Sequence, residues 1–212
     1  AIERVERLYD GEKLPATFQV SPAARPSGLD RLLDARGYRM RSSTSVEVAE
    51  IGTVLGRLPR DGHTVAVAES PDEEWMDLWW SVDGRGDSGK RKTAHEILTS
   101  APALYVSSRD ATGTTAVGRL ALVVDWGGLY CMAVRPDARR RGLATAVLRA
   151  LLSHASESGT RHVWLQVVAD NSAARALYSR AGFVPVSSYH YRVRPMGSAS
   201  TAVGPVPEPA CR

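Results

Sequence analysis

The segment Arg139-Arg140-Arg141-Gly142-Leu143-Ala144-Thr145 concentrates positive charge and small residues at the start of a helical pattern. A helix start leaves its first N–H groups unpaired, and the helix dipole favours negative charge there. Gly142 and Ala144 are small enough for a phosphate to come close to the backbone. The segment therefore reads as a diphosphate site, with a basic, solvated helix entrance as the bland alternative. No Gly-Lys-Ser/Thr follows, so it is not a P-loop. Gly-x-Gly-x-x-Gly is absent, so it is not the dinucleotide fingerprint either.

A second constellation runs from Asn171 through Ala174, Leu177 and Tyr178 to Gly182-Phe183. Asn171 opens a helix, and its carboxamide can bond a ligand amide or cap that helix. Tyr178 carries a phenol of reference pKa about 10, protonated at neutral pH and able to donate. It can equally be a core aromatic with a bonded hydroxyl.

Both constellations need elements that bring them together. Leu143, Val147, Leu151 and Ala155 recur every four residues, with Ala144, Leu148 and Leu152 widening the stripe. This predicts a helix from Gly142 to about Ser158, stopped by Gly159. A strand over His162–Val168, a helix over Ser172–Ala181 closed by Gly182, and a strand over Val184–Val193 should follow. Upstream, strands are expected at 63–69, 103–107 and 115–125, with Asp125–Gly128 as a hairpin turn into a strand at 129–134. Helices are expected at 71–80, with Ser70 as N-cap and Pro71 in the first turn, and at 91–99. Asp83–Lys90 should be an exposed loop. The first 55 residues show helix (Ile2–Tyr9), strand (Thr17–Val20), helix (Gly28–Ala35), Gly37-Tyr38 and strand (Thr44–Ile51). That order repeats 143–193, with Gly37-Tyr38 standing where Gly182-Phe183 stands later. Residues 1–55 therefore read as a partial repeat, or as a generic α/β extension on the main sheet. The stretch 62–195 reads as the main domain, and 196–212, rich in Gly, Ser, Ala and Pro, as a flexible tail.

From about Gly128 to Phe183 the chain resembles the GNAT superfamily of N-acetyltransferases. Arg139-x-x-Gly142-x-Ala144 matches that family's Gln/Arg-x-x-Gly-x-Gly/Ala loop. Asn171 to Phe183 matches its Asn-x-x-Ala-x-x-Leu-Tyr-x-x-x-Gly-Phe stretch. The resemblance implies an α/β fold with a central, mostly antiparallel sheet splayed at the cofactor strand and helices on both faces. It implies transfer of an acetyl group from acetyl-CoA to a primary amine of a small molecule or protein, without a metal. Arg139, Arg140, Arg141, Gly142, Leu143, Ala144 and Thr145 would form the pyrophosphate loop. Met132, Ala133 and Val134 would pair with the pantetheine arm like an added strand, close to an oxyanion-stabilising N–H. Asn171 would bond the pantetheine or acetyl end, and Tyr178 would protonate the leaving thiolate. One position departs from the family pattern. Gln166 stands where several members carry a Glu as general base, leaving Glu69, Glu96 and Asp125 as candidates on chain position. That departure also keeps a non-catalytic acyl-CoA-binding module in view. Trp75, Trp79 and Trp80 would line an acceptor groove or pack in the core.

Composition sets outer bounds. With 43% hydrophobic and 24% charged residues, a sizeable core is affordable. The net charge is +4, with three lysines and 24 arginines. Such a surplus suits one anionic cofactor, and the chain lacks a recognised nucleic-acid-binding motif. Cys131 and Cys211 lack metal or disulfide-framework spacing, which points to the cytoplasm. No apolar run reaches membrane-spanning length. A homodimer is compatible with all of these features.

Overall fold

The structure, a computed structural model, describes residues 1–60, 62–84 and 86–195. Its helices are α1 (Ile2–Gly11), α2 (Leu29–Ala35), α3 (Ile51–Arg57), α4 (Glu73–Asp83), α5 (Ser88–Thr99), α6 (Leu143–Glu157) and α7 (Ser172–Ala181). Its strands are β1 (Thr17–Val20), β2 (Arg39–Glu50), β3 (Val65–Ala68), β4 (Ala103–Asp110), β5 (Gly113–Val123), β6 (Trp126–Val134), β7 (His162–Val168) and β8 (Val184–Val193). The expected tail, 196–212, lies outside the described residues.

All eight strands join one sheet in the order β1-β8-β2-β7-β6-β5-β4-β3. Every pairing is antiparallel except that of β6 with β7. Successive residues of a strand face opposite sides. Along β5, Ala116 and Leu120 join the core under α3, α6 and α7, while Val117 joins a second core under α4. On α6, Val147, Leu148, Leu151, Leu152 and Ala155 are fully buried, which is the expected stripe. Helices thus cover both faces, and the mixed α/β class is as expected.

Several local expectations shift. The N-cap of α4 is Asp72, whose Oδ1 accepts the Trp75 amide at 2.8 Å, and not Ser70. A carboxylate there accepts the orphan donor and favours the dipole, so it outcompetes a hydroxyl two residues earlier. The β5–β6 turn falls at Val124-Asp125, and Gly127 and Gly128 lie inside β6. Their role is close packing. A Cβ on Gly128 would stand 2.8 Å from the Tyr130 ring and 3.1 Å from that of Trp164, and one on Gly127 would stand 3.0 Å from Leu120. The expected loop at Asp83–Lys90 is shorter, because Asp83 completes α4 and Ser88–Lys90 begin α5 under an Asp87 cap. Arg85 lies outside the described residues. Helix α3 was not anticipated. Its seven residues bury Ile51 and Val54 against α6, and β2 stops at Glu50.

The N-terminal elements follow the expected order, α1-β1-α2-β2, and they enter the main sheet. Strand β2 lies between β7 and β8, and β1 pairs with β8 at the sheet's edge.

Candidate functional site

The parallel pairing of β6 with β7 runs from Trp126–His162 to Leu129–Leu165 and goes no further. Beyond Leu129 the two strands separate. The β7-facing edge of Tyr130 to Val134 is left without a ladder partner, although Ala133 and Val134 still pair with β5. An open strand edge of this kind presents amides and carbonyls to an extended ligand. The crevice at the point of separation is lined by Leu129, Tyr130, Met132, Leu165, Gln166, Val167 and Tyr178.

A bulge marks the same place. Val117 pairs with Ala133 and Arg119 with Tyr130, so Cys131 and Met132 both oppose Gly118. Cys131 adopts φ 55, a left-handed conformation that a non-glycine residue rarely takes. Gly118 makes the bulge fit. A Cβ there would lie 2.6 Å from the Met132 sulfur and 2.7 Å from Val147. Sequence reasoning missed this feature, and the signal was an isolated Gly inside an apolar strand pattern.

The basic loop sits past the end of β6. A short 3₁₀ turn, Pro136–Ala138, leads to Arg139; Arg140 (φ 64) and Gly142 (φ 84) then take left-handed conformations before α6 begins. Gly142 is the N-cap and supplies no side-chain acceptor, and the first intrahelical bond there is donated by Ala146. The amides of Leu143, Ala144 and Thr145 are therefore the unpaired first-turn donors. Arg139, Arg140, Arg141 and Gly142 are exposed, Leu143 is buried, and Ala144 and Thr145 are half-buried. Arg139 Nε donates to the Val134 carbonyl at 3.3 Å, and His63 Nε2 lies 2.8 Å from the Arg141 carbonyl. Arg135 is spent on Asp110 and Asp137, and its bond to Asp137 holds that carboxyl below the ordinary range.

Tyr178 reaches the crevice from α7. It is 6% exposed, and its ring meets that of Phe183 edge-on at 5.5 Å. Asn171 caps α7, with Oδ1 accepting the Ala174 amide at 3.0 Å. Its amide nitrogen is the group left to meet a ligand. Gln166 Oε1 accepts from the Tyr189 hydroxyl at 2.9 Å. Met132, Gln166 and Tyr178 thus line the strand separation, Ala133 and Val134 continue the open edge of β6 beyond it, and the Arg139–Thr145 loop follows that strand.

The candidate bases do not converge there. Asp125 is at the opposite end of β6 from Met132, about 20 Å away at ~3.3 Å per residue. Glu69 follows β3, three strand spacings or about 14 Å from β6. Glu96 is exposed on α5. Trp75 and Trp79 are core residues, and the Trp75 indole N–H donates to the Val106 carbonyl at 3.0 Å. Trp80 is half-buried against them.

Residues 60–183 match the model of the acetyltransferase (GNAT) family. The uncharacterized N-acetyltransferase YobR of Bacillus subtilis is 28% identical over 191 residues, which cover 89% of this chain and 77% of that protein. The mycothiol acetyltransferase of Clavibacter sepedonicus is 34% identical over 76% of this chain, which spans only 56% of that protein. Among solved structures, a GCN5-related N-acetyltransferase from Kribbella flavida superposes with a TM-score of 0.67. That superposition covers 94% of this chain and 76% of the other at 19% identity, a likeness of fold. The chain belongs to the GNAT family of acetyltransferases.

Proposed function

We propose that this protein moves an acetyl group from acetyl-CoA to a primary amine. The carrying observation is the loss of β6–β7 pairing after Leu129, with Tyr178 lining the gap and the Arg139–Thr145 loop following the open end of β6. In this reading the pyrophosphate lies on the amides of residues 140 to 145, beside the exposed arginines. The pantetheine arm lies along Met132–Val134. The amine attacks the thioester carbonyl, the oxyanion is met by a backbone N–H near the bulge, and Tyr178 protonates the departing thiolate. Gln166 is bonded to Tyr189 and cannot accept a proton at neutral pH, so the amine enters already neutral or gives its proton to water. The acceptor is an amine of a small molecule or of a protein, and the cytoplasm is the expected setting.

Acetyl-CoA should raise the melting temperature, whereas ATP and NAD should not. Gly142→Asp should abolish that rise, because a carboxylate would face the diphosphate. Stabilisation by ATP or NAD without acetyl-CoA would remove the proposal. Binding of acetyl-CoA with no transfer to any amine would favour a non-catalytic acyl-CoA-binding module, the reading that Gln166 keeps open.

We propose in addition that residues 1–55 are a partial copy of the 143–193 unit. A constant sequence offset carries Ile2–Gly11 into α6, Thr17–Val20 onto the first residues of β7, and Gly37 onto Gly182. The β2–β8 register supports a local two-fold, since Arg39 faces Val193 and Val48 faces Val184, one pair read from either strand.

A further inference from the structure

Two arginines of this chain are equally buried, each 6% exposed, and they are treated differently. Arg192 is held by two carboxylates, with Nε and Nη2 on Asp30 and Nη1 on Asp34. Arg119 has no carboxylate within 4.0 Å among the described residues. Its Nε donates to the Tyr105 hydroxyl at 3.1 Å and its Nη2 to the Leu98 carbonyl at 2.7 Å. Its guanidinium carbon lies 5.6 Å from the Tyr105 ring centre and 5.9 Å from that of Tyr130. Nη1 makes no hydrogen bond among the described residues. Buried charges are normally paired, because desolvation otherwise goes uncompensated. Carbonyl and ring contacts soften that cost without neutralising the charge.

Its position gives the unpaired charge a use. Arg119 is the direct cross-strand partner of Tyr130, the first residue of β6 past the end of the β6–β7 ladder. It lies on the α4 side of the sheet, opposite the α6 side. Tyr130 lines the crevice, and its ring meets Trp164 edge-on at 5.4 Å. None of the crevice-lining residues is charged.

We infer that Arg119 reads a carboxylate on the acceptor amine, through Nη1, beside the aromatic wall of Tyr130 and Trp164. A single remaining guanidinium nitrogen suits a monoanion. Tyr130 and Met132 flank Cys131 at the bulge and both line the crevice, so the carboxylate and the amine belong to one short molecule. This inference rests on the acetyltransferase reading for the word acceptor, and its binding arm does not.

The test uses 3-phenylpropanoate and 3-phenylpropanamide as probes, titrated calorimetrically into the full chain with CoA present. Free aromatic amino acids and their amides are compared as acceptors in parallel. The wild type should favour the acid over the amide on the order of 10²-fold. Arg119→Gln should erase the preference, and Arg119→Lys should keep part of it. Equal affinity for acid and amide in the wild type, or a preference that survives Arg119→Gln, overturns the inference. If Arg119→Gln fails to fold, the wild-type ratio and Arg119→Lys decide it. Acid-selective binding without acetylation of any amine would sink the acetyltransferase reading while leaving the carboxylate site in place.

Discussion

Helices α2 and α7 end in the same way and stand in different surroundings. Each stops at a glycine of positive φ, Gly37 at 80 and Gly182 at 104. In each the following aromatic amide reaches back to a carbonyl of the last turn at 3.0 Å, Tyr38 to Leu33 and Phe183 to Tyr178. Each then feeds a strand of the same sheet. The equivalent positions carry different chemistry. Leu33 stands where Tyr178 stands, and Pro26 where Asn171 stands. Leu33 is sealed in a small core with Ile2, Ala16, Val20 and Tyr38, whereas Tyr178 faces the crevice. The neighbouring strands differ as well. β7 has β6 beside it and parts from it, while β1 is the edge of the sheet. The same local scaffold carries a phenol beside a strand separation in one place and a leucine beside an edge strand in the other.

Removing residues 1–55 is the most severe way to break the comparison. Among the described residues β8 pairs only with β1 and β2, so the chain from residue 56 on would leave that strand without a neighbour and expose an edge of β7. The shortened chain should lose its cooperative thermal transition and aggregate. A sharp melt near that of the full chain would show that the N-terminal elements are an ornament.

Tyr178→Phe against Leu33→Ala comes next. Tyr178→Phe should lower turnover by about 10²–10⁴-fold, roughly 3–5 kcal/mol of barrier, with acetyl-CoA affinity nearly unchanged. Leu33→Ala should cost about 2–5 kcal/mol of stability and leave turnover per folded molecule intact. Measured together, turnover and melting temperature separate the two. Wild-type turnover with a lowered melting temperature in Tyr178→Phe would make both residues packing.

The α2 side should also be the more acid-sensitive. Asp30 accepts from Arg192 and lies 2.7 Å from His190 Nε2, and these contacts, Arg192 first, hold its carboxyl well below the usual range. A depressed carboxyl contributes stability that is present above its unfolded pKa of about 4 and lost as pH falls below it. Asp30 is partly exposed, so the effect is modest. With solvent screening the pair, Asp30→Asn should cost about 1 kcal/mol at neutral pH and flatten the fall of melting temperature below pH 4. An unchanged acid profile would mean the cluster does not anchor α2 to β8.

The smallest effect concerns the caps. Asn171 caps α7 by its side chain, whereas α2 has no side-chain cap. Asn171→Ala should cost about 1 kcal/mol of stability. A rise in KM for acetyl-CoA beyond that loss would show the carboxamide also touches the cofactor, which Asn171→Asp, retaining the cap, would sharpen.

The elements of 142–193 were legible in the sequence because their signals are local. The four-residue stripe of α6, the αL glycines at 159 and 182, and the apolar run of β7 each act within a few residues. The loop at 139–145 and the pair Asn171 and Tyr178 were legible for the same reason, since motif spacing is a local property. The Asp72 cap, the true β5–β6 turn and α3 were not. There, competition between neighbouring caps and packing against distant side chains decides, as when the Trp164 ring crowds the space a side chain would take at Gly128.

By itself, then, the sequence determined the order of helices and strands over 142–193 and placed a basic, small-residue segment at the start of α6. Tertiary structure alone decided that β2 inserts between β7 and β8, that β6 leaves β7 after Leu129, and that Arg119 lies buried at that row with no carboxylate partner among the described residues. The reason is physical. Strand partners and buried-charge partners are set by contacts between residues far apart in the chain, and no local periodicity encodes which neighbour a strand edge or a guanidinium will meet.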